Sequence, residues 1–233
     1  MRLLQALVFH PIHILTGTLL HIFRGGMFPG IDEAARRAAD DDNRRAVDEA
    51  LALNAACLVL VVGGLPGESK DIAGARSQVR DGLGRLLEYA RTAGMPLAIE
   101  PLHPMYAADR ACINTLEQAN DLCDELGDEG LGIAVDLYHT WWDPKLFAQL
   151  ERAGRKRILG FHICDWLVPT RDLLLDRGMM GDGVIDIRAA RQAVEALGYE
   201  GAHEVEIFSE HNWWQRDPDS VLEMCKARHQ SHC

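Results

Sequence analysis

Gly132-Ile133-Ala134-Val135-Asp136-Leu137-Tyr138-His139 is a short apolar run that ends in a carboxylate. Side chains alternate between faces in an extended chain, so Asp136 falls on the small-residue face with Ala134, and Ile133 and Val135 take the other. His139 follows three residues later, where the strand should already be a loop. A carboxylate at a strand end and an imidazole just beyond it can meet at one cation.

Three other stretches repeat the pattern. Leu97-Ala98-Ile99-Glu100 ends in Glu100 before Pro101, Gly160-Phe161-His162-Ile163-Cys164-Asp165 carries His162, and Ala202-His203-Glu204-Val205-Glu206-Ile207-Phe208 carries Glu206. The polar residue of the first three runs shares its face with Ala or Gly, which suits a parallel barrel with its bulky side chains turned out against helices. The four polar residues are 36, 26 and 44 positions apart, each interval suited to one βα unit. All four sit at the C-terminal ends of strands, where barrel enzymes place their chemistry. Glu, Asp, His and Glu make a donor set for a hard-to-borderline divalent cation. Glu204 faces the same way as Glu206 and is expected deeper in the barrel, paired with an interior donor.

The 233 residues suffice for one large domain, expected to be a single barrel over 1–233 with an atypical segment at 1–20. Apolar residues make up 48% and charged ones 25%, as in a soluble globular protein. A net charge of −11 argues against a nucleic-acid partner, which would need a basic face. Six scattered cysteines with no CxxC pair read as reduced thiols in a cytoplasmic protein. Residues 3–23 are strongly apolar, but His10, Pro11, His13 and His21 interrupt them and no clear cleavage site follows. Neither a signal peptide nor a membrane partner is therefore expected.

In order, the pattern predicts a strand at 14–23, a helix at 31–53, a buried strand at 57–62 and a helix at 70–93 stopped by Gly94. The strand to Glu100 is followed by a loop at 101–111 and a helix capped by Asn114 with Glu117 at its third position. Beyond the Asp136 strand come a helix at 144–152, the His162 strand, an irregular stretch at 165–184, a helix from Asp186, the Glu206 strand and a helix from Pro218 to about 227. Strand then helix repeats about six times with no hairpin signal, the α/β pattern of a parallel sheet. The Gly63-Gly64-Leu65-Pro66-Gly67-Glu68-Ser69-Lys70 loop lacks the spacing of a phosphate loop and reads as a plain βα turn. Trp141-Trp142, Trp213-Trp214 and Trp166 are either loop packing or a platform for a small ligand. His229 and His232 read as solvated.

On Ile99-Glu100-Pro101, Val135-Asp136 with His139, Phe161-His162-Ile163-Cys164-Asp165, Arg177 with Gly181-Asp182-Gly183, and Val205-Glu206-Ile207-Phe208, the chain resembles the sugar phosphate isomerase/epimerase family of xylose isomerase-like barrels. The resemblance implies a (β/α)8 TIM-type barrel with one divalent ion (Mn, Mg, Co or Zn) held by Glu100, Asp136, His162 and Glu206. It makes Glu100 and Glu206 the acid/base pair. They would move a proton next to the carbonyl of a small keto-sugar or sugar phosphate through an enediolate. His103, His139, Arg177, Trp142 and Trp166 are the expected substrate contacts, with Arg177 a candidate for a phosphate. A keto-inositol dehydratase, or a sugar-binding paralogue without turnover, would fit the same residues. Endonucleases of the superfamily use additional histidines, and none stands at Gly181-Asp182-Gly183. The resemblance puts the last glutamate on the eighth strand, so only six units are evident and the barrel is expected to be incomplete at its N-terminus. On that count the chain is expected to lack its first two units, with residues 1–20 as a substitute strand or cover. A homo-oligomer across the gap is a further expectation. The stretch 165–184 is expected to close over the pocket.

Overall fold

The computed structural model describes residues 3–5, 20–21 and 27–233. Along the chain run β1 (Leu3–Gln5), β2 (Leu20–His21), α1 (Glu33–Ala52), β3 (Leu58–Leu60), α2 (Ile72–Ala93), β4 (Leu97–Ile99), α3 (Leu116–Leu126) and β5 (Leu131–Asp136). They are followed by α4 (Leu137–Thr140), α5 (Leu146–Arg157), β6 (Ile158–Ile163), β7 (Asp165–Trp166), β8 (Arg177–Gly178), α6 (Ile187–Ala196), β9 (His203–Val205) and α7 (Pro218–His232). Seven strands form one sheet in the order β1-β9-β6-β5-β4-β3-β2, with every pairing parallel. Among the described residues β1 and β2 do not pair, so the curled sheet is an incomplete α/β barrel. Six strands are legible in the sequence, and β1 is the seventh. It lies in the segment expected to be atypical and pairs with β9. The rest of 1–20, and the expected ends of the 14–23 strand, lie outside the described residues. Among the described residues no helix is long and apolar enough to cross a membrane.

The two faces of the sheet separate by size. Leu58, Leu60, Leu97, Ile99, Ile133, Val135, Phe161 and Ile163 face outward and share one core with Val79, Leu83, Leu87, Leu116 and Leu150 of the helices. Cys57, Val59, Ala98 and Ala134 form a second, smaller cluster, with Leu159 packed against it. Small side chains on the inner face leave room above them for the polar residues at the strand ends. Gly160 shows how tight that room is, since a Cβ there would stand 3.2 Å from His162 Nε2.

Helix boundaries follow local chemistry. The side chains of Asp32, Asp71, Asp186 and Asp217 each accept an N–H in the first turn of the following helix, a contact worth about 1 kcal/mol. Gly94 ends α2 at φ 77°, a left-handed conformation open to glycine. The expected Asn114 cap is displaced by one residue. Thr115 caps α3 by accepting from the Gln118 N–H, and the Asn114 N–H donates to Gln118 Oε1. Asn114 Nδ2 instead donates to the carbonyls of Leu102 and Ala111, tying down the loop after β4. α7 runs on to His232, so His229 is half-buried rather than solvated and its Nε2 lies 3.1 Å from His203 Nδ1.

The stretch read as irregular contains a hairpin, β7 paired antiparallel to β8. One side chain organises it. Asp165 accepts the N–H groups of Trp166, Gly181, Gly183 and Ile185 at 2.8–3.0 Å. This collar places Arg177 on β8, facing the ends of β5 and β9.

Candidate active site

β5 ends in Asp136, which also starts α4: Oδ1 accepts the Tyr138 N–H at 2.7 Å, and Oδ2 is left facing the barrel. β6 brings His162 beside it, in register with Asp136 on one side and Glu204 on the other. Glu100 follows the end of β4, and its Oε1 lies 2.9 Å from His162 Nδ1. Glu206 follows β9, one step beyond Glu204 on the same face. One ligand atom from each of Glu100, Asp136, His162 and Glu206 lies within 4.8 Å of the others, and all four residues are buried. Three carboxylate oxygens and one imidazole nitrogen at that spacing suit a divalent cation of the Mg, Mn, Co or Zn kind. Glu204 is outside this group. Its Oε2 approaches the other nitrogen of His162, at 3.5 Å from Nε2.

Three buried carboxylates repel one another and need positive charge nearby. Arg177 supplies part of it: Nη1 donates to Glu206 Oε2 at 2.9 Å and to Asp136 Oδ2 at 3.2 Å. Its Cζ lies between the rings of Tyr138 and Phe208, 4.3 and 4.7 Å from their centroids, which holds the guanidinium plane in place. Burial raises the Asp136 carboxyl well above its ordinary range, against the lowering pull of Arg177. Burial alone would lower His162, but the hydrogen bond and charge of Glu100, with Glu204 and Glu206, raise it to about 10. His139 is held far below its usual value by burial and then by the Arg177 charge, so it is neutral. The His103 N–H donates to His139 Nδ1, which leaves the ring proton on Nε2, 3.6 Å from Asp136 Oδ2. Arg177 Nη2 stands 3.2 Å from the same nitrogen, where two donors meet without a bond between them.

The pocket over this cluster has a volume of about 800 Å³ including its mouth. Glu100, Glu206, His139 and Arg177 line it, whereas Asp136 and His162 do not. His103 reaches His139 through its backbone, and its ring stacks on Trp166 at 5.0 Å and meets Trp142 edge-on at 5.7 Å. Trp142 and Trp166 lie outside the pocket lining, and the Trp142 indole donates to the His139 carbonyl. Tyr106, Arg110, Leu174 and Phe208 also line it, and of these only Phe208 belongs to a stretch that reads as a strand. The other three come from loops without periodicity, where spacing carries no signal.

A parallel α/β barrel with a buried carboxylate–imidazole cluster at its C-terminal strand ends defines the class. Within that class the chain belongs to the xylose isomerase-like TIM barrel family, which it matches over residues 5–225. It is similar to the inosose isomerase of Bacillus velezensis, 29% identical over 133 residues, or 54% of this chain and 44% of that one. The chain thus spans about half the length of the curated relatives it matches. A crystal structure of a protein from Sinorhizobium meliloti 1021 is 60% identical with a TM-score of 0.88, over 91% of this chain and 78% of that one. The IOLI protein, crystallised with a bound zinc atom, shares the fold at a TM-score of 0.74 and 21% identity, over 91% of this chain and 74% of that one.

Proposed function

We propose that this chain is a divalent-metal-dependent isomerase or epimerase of a small keto-sugar, moving a proton next to a carbonyl through an enediolate. The observation that carries the reading is the division of the cluster. All four donors converge, yet only Glu100 and Glu206 also line the pocket. A C–H next to a carbonyl is weakly acidic, so its removal needs a base and an electrophile together. Glu100, Asp136, His162 and Glu206 would hold the cation, which when bound supplies a Lewis acid for the substrate's oxygens and offsets charge on the enediolate. Glu100 and Glu206 can reach both the cluster and the substrate. One takes the proton, and the other returns it to the opposite face or to a neighbouring carbon. Arg177 holds Asp136 and Glu206 in position, and neutral His139 offers its Nε2–H to a substrate hydroxyl. The inosose isomerase relatives and the zinc of the IOLI structure support the substrate class and the metal.

A screen of keto-sugars in D₂O with added Mn²⁺, Mg²⁺, Co²⁺ or Zn²⁺, read by NMR, tests the reading. Deuterium should enter next to the carbonyl of at least one ketose. Glu100→Gln and Glu206→Gln should each slow that exchange by roughly 10²-fold or more. Asp136→Ala and His162→Ala should take up no stoichiometric metal. A wild-type chain that binds metal but exchanges no proton with any ketose would sink the proposal.

A further inference from the structure

Arg177 is the sequence candidate for a substrate phosphate, but its charge is turned to Asp136 and Glu206. A second arginine lines the same pocket under different conditions. Arg110 sits in the turn after β4, on the face where the strands end, half-buried at the wall. Among the described residues its guanidinium has neither an ion-pair nor a hydrogen-bond partner. It lies over the Tyr106 ring, 5.4 Å from Cζ to centroid. Tyr106 is itself 6% exposed, and its hydroxyl is buried without a hydrogen-bond partner among the described residues. Asp109 and Asp172 lie close enough to influence Tyr106 electrostatically, and neither is paired with Arg110.

The wall is continuous. From Glu206 it passes to Arg177, then to His139 at 3.2 Å from Arg177 Nη2, then to Tyr106, edge-on to His139 at 5.8 Å, and then to Arg110. Leu102, Leu174 and Phe208 are apolar surface around it. A buried hydroxyl in such surroundings is costly unless a ligand satisfies it, and the half-buried guanidinium beside it carries an unpaired positive charge. A planar fork of N–H donors fits the paired oxygens of a carboxylate or a phosphate, and the tyrosine O–H adds one donor more.

We propose that Arg110 and the Tyr106 hydroxyl form an anion subsite, selecting keto-sugars that carry a phosphate or carboxylate at the end remote from the reacting carbonyl. The proposal rests on the isomerase reading for the placement of that carbonyl. Calorimetric titration of the full chain with D-fructose 6-phosphate, 5-keto-D-gluconate and D-fructose tests it. The first two arms separate phosphate from carboxylate, and the third removes the charge. At least one anionic probe should bind about tenfold or more tightly than D-fructose, the yield of one charge-assisted hydrogen-bonded contact. In Arg110→Gln the preference should fall to near unity, in Arg110→Lys it should return in part, and Tyr106→Phe should reduce it. Thermal melts of these variants should stay close to the wild type, because the Arg110 guanidinium has no ion pair or hydrogen bond to lose among the described residues and Tyr106→Phe removes only an unpartnered hydroxyl. Equal binding of charged and neutral probes, no binding of either anionic probe, or a preference surviving in Arg110→Gln overturns the subsite. Proton exchange measured on the same probes keeps the two readings apart. Exchange without an anion preference removes the subsite alone, and an Arg110-dependent preference with no exchange on any ketose of the D₂O screen removes the isomerase reading alone.

Discussion

Arg177 compensates two buried carboxylates at once, so its removal leaves both without their shared cation. Breaking such an arrangement from one side costs roughly 3–5 kcal/mol, since the remaining charges cannot be hydrated. Arg177→Met should lose about that much in denaturant unfolding. Added divalent metal should restore part of the loss, because it brings positive charge to the same oxygens. Arg177→Lys keeps the charge but loses the fork and the packing between Tyr138 and Phe208, so it should fall between the two. Glu204 and Glu206 separate on a finer distinction. They share a face, but Glu206 belongs to the converging cluster and Glu204 lies beside His162 Nε2. Glu206→Gln should abolish metal uptake in a calorimetric titration. Glu204→Gln should weaken it by about 10–100-fold, the usual cost of disturbing a residue that orients a ligand. Metal lost in Glu204→Gln and kept in Glu206→Gln would reverse the assignment.

Among the elements, six strands of the sheet are legible in the sequence and the hairpin is not, for reasons of range. Alternation along β5 or β6 is a two-residue signal, and Ala134 and Gly160 mark the inner face by local pattern alone. The hairpin depends on one carboxylate, Asp165, accepting N–H groups from residues 16, 18 and 20 positions later, which no window of local pattern detects. The α3 cap differs by one residue because Asn114 and Thr115 both suit the position. Tertiary contact decides it: Asn114 is held by the Leu102 and Ala111 carbonyls. Arg110 and Tyr106 lie in a loop where residue type alone says nothing of direction. The collar yields its own prediction. In Asp165→Ala three backbone N–H groups of the 181–185 segment lose a charged acceptor, each worth about 1.5–3 kcal/mol at most. Limited proteolysis should then cut first within 167–175, where the chain is exposed or half-buried, and Arg177 should lose its fixed place. Cleavage as slow as in the wild type would show that the strand pairing of β7 and β8 holds the loop without Asp165.

Across the whole molecule, the last helix fastens the sheet through a group that titrates. His203 is on β9 but points away from the site, packed edge-on to Phe161 at 5.2 Å and bonded to His229 of α7. Arg191 and Glu195 of α6 complete its surroundings, and Arg191 also donates to the Cys233 carbonyl. Burial first, then the positive charge of His229 and Arg191, lowers His203 to about 4, with Glu195 opposing. The unfolded chain returns it to about 6.5. A histidine held neutral in the fold binds fewer protons there than when unfolded, so stability rises with pH between those values. The contribution is therefore complete above about pH 6.5 and is lost as the pH falls toward 4. His139, also held neutral by burial, acts in the same direction. Between pH 7 and pH 5 the His203 share amounts to about 2 kcal/mol as an upper bound. Denaturant unfolding at the two pH values should show the wild type losing more stability on acidification than His203→Gln, which cannot take up the proton. The variant should be the less stable of the two at pH 7, where the packing against Phe161 and the bond to His229 are lost, and the gap should narrow at pH 5. A gap that widens on acidification would mean that His203 is already protonated in the fold and held by an ion pair with Glu195 of α6.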